Sequence, residues 1–109
     1  SESDLASVSP EMMQTQSFFT TTINKELQTL KSLNKPEAKS LVADALQQLD
    51  ILEKEYEGLK KDLAESGNDK RVIYAMINNF QNRINLLEQV IEKIEEIKNL
   101  KKYRDETTI

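Results

Sequence analysis

Carboxylates are the side chains best placed to do chemistry here. Glu53, Glu55 and Glu57 recur in one stretch and Glu92, Glu95 and Glu96 in another. Paired glutamates on facing helices can hold metal ions, but helical dimetal sites also take a Glu-x-x-His pair. This chain has no His and no Cys. The same absence removes the usual nucleophile–base pairs, zinc–thiolate ligation, disulfides and thiol catalysis. A Ser–Lys or Asp–Asp site survives on residue type alone. However, the serines fall at expected helix caps, and the carboxylates fall on faces that helical spacing turns to solvent. Glu57 and Lys61 fit a supportive i,i+4 ion pair. There is no phosphate loop and no dinucleotide Gly motif. The chain therefore reads as non-enzymatic, with no catalytic, cofactor-binding or metal-binding residue.

Two further groups of polar residues stand out. Arg83 falls on an apolar stripe between Phe80 and Leu87. A charge so placed needs a partner, and folding the chain back on itself brings Arg83 near Leu52, Glu53 and Tyr56. The expectation is a structural ion pair of Arg83 with Asp50 or Glu53 that sets helix register, rather than a ligand site. Asn78, Asn79, Asn82 and Asn85 crowd one stretch although Asn is a mediocre helix former. They read either as a polar recognition surface or as plain solvent-facing residues.

The elements that must position these residues follow from periodicity. Ala38, Val42, Ala45, Leu49, Leu52, Tyr56, Leu59 and Leu63 are spaced 4-3-4-3-4-3-4, which keeps one seam of a helix apolar over its whole length. Upstream, Ser9-Pro10-Glu11 is a helix start: a capping hydroxyl, a first-turn proline and an acid at the positive dipole end. Met12, Phe19, Ile23, Leu27 and Leu30 then share one side, with Gln16 in the same stripe. Downstream, Gly67 suits a left-handed cap, and Asn68 or Asp69 can cap a third helix. That helix carries Val72, Ile73, Met76, Ile77, Phe80, Ile84, Leu87, Val90, Ile91, Ile94, Ile97 and Leu100. Lys98, Lys101, Lys102 and Arg104 offset its negative end. Gly58 sits inside the second helix, as a surface position or a close helix contact.

The predicted fold is all-α: an up-down-up antiparallel three-helix bundle with a long hairpin of coiled-coil type between helices two and three. Helices of about 10–33, 36–65 and 70–102 form one domain over 10–102, after a flexible segment 1–9 and before a frayed tail 103–109. Short connectors make successive helices antiparallel neighbours. The far tip of the hairpin, with Leu59, Leu63, Val72, Ile73 and Met76, is then the least covered part of the core. Either Leu5 and Val8 fold over it, or it is an exposed contact surface or dimer seam.

Composition agrees with a long-helix protein. Of 109 residues only 2 are Gly and 2 Pro, and 31% are charged. The net charge of −4 argues against nucleic acid as a partner. No apolar run approaches the ~18 residues of a membrane span. The chain opens Ser-Glu-Ser without Met, so any signal or anchor is expected outside it.

The hairpin core reads Leu49-Asp50, Glu55-Tyr56, Leu59-Lys60-Lys61-Asp62-Leu63, a Gly/Asn turn, then Val72 through Arg83 and Leu86-Leu87-Glu88. With Pro10-Glu11-Met12, Phe18-Phe19 and Ile23 to Leu27, it resembles the C-terminal helical domain of single-pass Bacteroidetes membrane proteins labelled as anti-sigma factors. The resemblance covers about residues 9–100, with Phe80 where Tyr is expected in much of the family. It implies a non-catalytic periplasmic sensor or interaction domain that follows a membrane helix absent here. Such a domain acts by protein contact or self-association, while a sigma factor is bound by another, cytoplasmic segment. The alternative is a soluble cytoplasmic helical scaffold or homodimerisation module.

Overall fold

The computed structural model describes residues 3–107. Ser1 and Glu2 of the expected flexible segment, and Thr108 and Ile109 of the expected tail, lie outside the described residues. The architecture is all-helical, with three helices packing together: α1 (Pro10–Ser32), α2 (Lys39–Ser66) and α3 (Lys70–Thr107). Two 3-10 turns, Leu5–Ser7 and Pro36–Ala38, precede α1 and α2. The molecule is a rod of 66 × 23 × 21 Å.

Local chemistry sets the helix ends. The Ser9 hydroxyl accepts the Met12 amide at 3.1 Å, and Pro10 fills the first helical position without losing a bond. At the other end of the hairpin, Gly67 takes φ 66° and Asn68 φ 69°. Both left-handed residues turn their amides back onto the Leu63 carbonyl, the Asn68 bond being 3.2 Å. Asp69 then accepts the Arg71 amide at 2.8 Å and starts α3. The paired Arg71 guanidinium holds the Asp69 carboxyl below its usual range.

Two boundaries depart from expectation. The second helix begins at Lys39 rather than Pro36, because Pro36–Ala38 closes as a 3-10 turn with the Ala38 amide on the Lys35 carbonyl. The third continues past Lys102 to Thr107, whose hydroxyl bonds back to Tyr103. The predicted Glu57–Lys61 pair is replaced by Glu57–Lys60 at 3.2 Å.

The core is one cluster running the length of the rod, from Leu5, Leu63 and Met76 through Phe19, Tyr56 and Phe80 to Leu30, Ala38, Leu87 and Ile94. Late residues of α2 meet early residues of α3, as Tyr56 meets Phe80. The turn that leads into α2 meets late residues of α3, as Glu37 meets Lys101. The backbones of α1 and α2 each approach α3 more closely than they approach each other. Towards the tip, the N-terminal segment bridges α1 and α2.

Candidate interaction site

The sequence leaves the hairpin tip either covered or open, and the structure covers it. Leu63 and Met76 are completely buried, and Leu59, Val72 and Ile73 are half-buried against the same cluster. The candidate partner surface Leu59, Leu63, Val72, Ile73 and Met76 is therefore not an exposed patch in this structure. Residues 3–8 form a strap that packs on α1 and α3, with Leu5 fully buried and Val8 partly so. The described part of the segment 1–9 thus forms a turn packed on the helices. One leucine side chain holds enough apolar area to dock a short turn against a core that would otherwise be wet.

The strap is held by a polar clasp as well as by Leu5. Asp4 accepts the Leu5 amide at 2.8 Å and caps the strap's own turn. Its Oδ2 accepts the Gln16 side-chain amide of α1 at 3.0 Å, and its Oδ1 accepts the hydroxyl of Tyr56 from α2. Gln16 completes the ring by accepting the Ala6 amide at 2.6 Å. A polar residue in the apolar stripe of α1 thus has its reason: Gln16 is the strap's receptor. Burial alone raises the Asp4 carboxyl, but the bonds from Tyr56, Gln16 and the Leu5 amide, with the Lys60 charge, outweigh it. Its pKa lies below the ordinary 3.8. Burial and the Asp4 carboxylate push the Tyr56 hydroxyl far up, so it remains a donor.

Arg83 lies beside this clasp, and its predicted ion pair is not formed. Asp50 is exposed and pairs with Lys54 of its own helix at 2.9 Å. Glu53 is exposed, and its charge reaches Arg83 without a bond. Arg83 is instead buried, with its guanidinium carbon 4.4 Å from the centre of the Phe80 ring and 5.1 Å from that of Tyr56. The aromatic faces solvate the cation, yet its Nε and Nη2 have no hydrogen-bond partner. Burial lowers the guanidinium pKa against the opposing pull of Glu53, Tyr56 and Asp4. Phe80 also stacks on Phe19, centres 5.3 Å apart, so all three helices meet at this level.

The asparagine cluster divides. Asn79 is buried and donates to the Leu52 carbonyl at 2.9 Å, which ties α3 to α2. Asn78, Asn82 and Asn85 are exposed. Asn78 and Asn82 border a shallow hollow with Glu55 and Gly58, where a Cβ at Gly58 would meet nothing within 4 Å. No group of His, Cys, Asp or Glu among the described residues could hold a metal ion.

Sequence reasoning placed Arg83 near Tyr56 but missed Asp4, because no periodicity marks a strap residue. The available signal was Gln16, a polar side chain in an apolar stripe that needed a partner. No protein-family model, curated protein or solved structure matches this chain.

Proposed function

We propose that this domain is a non-catalytic contact module, the periplasmic sensor part of a membrane-bound anti-sigma factor. It works by protein binding or self-association and presents an up-down-up bundle with a coiled-coil hairpin. The family resemblance supports that assignment. The structural observation that carries the mechanism is the Asp4 clasp, which joins Gln16 of α1 to Tyr56 of α2 through one carboxylate. A partner that loosens or tightens the clasp changes how the start of α1 is tied to the hairpin. In the resembling family, α1 is the helix nearest the membrane span. No helix among the described residues is long and apolar enough to cross a membrane, so any span would have to come from outside them.

The test is to delete residues 36–100 from the parent protein and follow sigma-dependent transcription with and without envelope stress, with protein abundance checked. Altered or stress-blind transcription is expected. A response identical to wild type removes the sensing role. A homodimerisation module is the second reading, favoured by Leu100 and Tyr103, each 65% exposed on the last turns of α3. Light scattering over a concentration range, with Leu100→Glu and Tyr103→Glu beside wild type, decides it: a dimer must appear and both substitutions must dissolve it.

A further inference from the structure

The strap is bound to the helices as a peptide ligand is bound to a receptor. One apolar side chain, Leu5, fills a fully buried socket, and one carboxylate, Asp4, is read by Tyr56 and Gln16. One backbone amide, that of Ala6, is read by Gln16. Apart from Leu5 no described strap residue is fully buried, so Leu5 and the polar clasp carry most of the strap's attachment.

The receptor side also has unused capacity. Arg83 is 8% exposed, and its Nε and Nη2 are unpartnered. Tyr56 and Gln16 occupy the Asp4 carboxylate, and Asp50 and Glu53 do not bond to Arg83. Among the described residues, the charged groups around the clasp include Asp4 on the strap, Glu53 and Lys60 on α2, and Arg83 on α3. Lys60, paired with Glu57, still adds positive potential at Asp4. A buried cation with two enclosed, unbonded donors beside a seated carboxylate favours a ligand richer in negative charge than the strap itself.

We propose that the surface beneath the strap is a docking groove for an acidic peptide segment of a partner protein, a carboxylate residue followed by leucine, with residues 3–8 as its resident competitor. The incoming carboxylate takes the place of Asp4 on Tyr56 and Gln16, the incoming leucine takes the Leu5 socket, and a second acid pairs with Arg83. This rests on the contact-module reading above and names its partner chemistry. The two fail separately, because a domain that signals in cells but takes no such peptide keeps the first and loses the second.

The probe is a fluorescently labelled peptide of residues 3–9, with a second version carrying Glu in place of Ser3. Binding to the full chain is followed by anisotropy. Because the resident strap reduces apparent affinity by the fraction of molecules in which it is open, wild type should bind weakly and the full-chain Leu5→Ser variant at least about tenfold tighter. Asp4→Asn or Leu5→Ser in the peptide should remove that gain. Arg83→Gln in the protein should abolish any preference for the Glu-bearing peptide. A helical, cooperatively unfolding Leu5→Ser protein that binds neither peptide, or binds them regardless of Asp4, overturns the proposal. Amide exchange on wild type provides an independent check. The Leu5 and Ala6 amides should exchange by local opening, at least about tenfold faster than that of Met76. Exchange only together with Met76 means the strap is inseparable from the core, and the groove does not exist.

Discussion

The carboxylate of Asp4 accepts the hydroxyl of Tyr56, which stands 52 positions later in the chain. Because Gln16 holds the other oxygen of the same carboxylate, one acidic side chain joins α1 to α2. Tyr56→Phe keeps the ring against Phe80 and Arg83 but removes the donor. It should cost about 1–2 kcal/mol in urea unfolding and speed amide exchange at Leu5 and Ala6. Unchanged exchange at those two amides would show that Leu5 alone holds the strap.

Acid should release the strap before it melts the rod. The folded pKa of Asp4 is depressed, so its contribution is fully present above the unfolded value near 3.8 and is lost as pH falls through the lower folded value. Exchange or fluorescence at the strap should therefore report opening below about pH 4, with α-helical circular dichroism retained. Asp4→Asn should make strap opening independent of pH in that window. The opposite limb belongs to Tyr56. Its raised pKa means the bond survives until strongly alkaline pH and is lost as pH rises through the folded value.

Arg83 is buried with two donors unpartnered. Replacing a buried, incompletely satisfied charge with an apolar residue of similar length is commonly neutral or stabilising. Arg83→Met should leave thermal stability within about 1 kcal/mol of wild type or raise it, with the missing cation–π attraction and the recovered desolvation nearly offsetting. Arg83→Lys keeps the burial cost and loses the planar stack, and should be the less stable of the two. A loss above about 3 kcal/mol in Arg83→Met, the size expected for breaking a buried pair, would mean that Arg83 has a bonded partner after all.

Leu63 and Leu5 are both fully buried, but they sit in differently constrained chain. Leu63→Ala leaves a cavity between two long helices that cannot collapse, and about 2–5 kcal/mol should be lost. Leu5→Ala lies on a six-residue strap that can shift or detach, so about 2 kcal/mol or less is expected. Chemical denaturation of the two variants side by side checks the ordering, and a larger loss for Leu5→Ala would place the strap within the cooperative core.

The two glycines should respond with opposite signs. A Cβ at Gly58 meets nothing within 4 Å, so Gly58→Ala should stabilise α2 by up to about 1 kcal/mol. Gly67 has φ 66°, and Gly67→Ala should destabilise by about 1 kcal/mol even though the space is open. Thermal melts of the pair test whether backbone conformation, rather than packing, decides each.

What the sequence by itself determined was the apolar periodicity of the three helices and the caps at Ser9 and Gly67. The 4-3 seam of α2, the stripe of α3, the Ser9-Pro10 start and the Gly67 stop each depend on residues within a turn or two of one another, and local rules read them. Placement of Arg83 opposite Tyr56 also followed, because a short connector fixes which residues of two neighbouring helices meet. Tertiary structure alone decided the rest. The local cap that Asp4 gives the Leu5 amide does not mark its wider role, since its bonds to Gln16 and Tyr56 exist only once three separate segments converge. The fate of Arg83 was equally nonlocal. Charge pairing by sequence suggested Asp50 or Glu53, but Lys54 lies one helical turn from Asp50 and takes it, while the Phe80 and Tyr56 rings take the guanidinium. Whether the tip was open depended on where a short segment without periodicity came to rest. That choice rests on one leucine socket and one carboxylate, and only the assembled helices supply the groups that receive them.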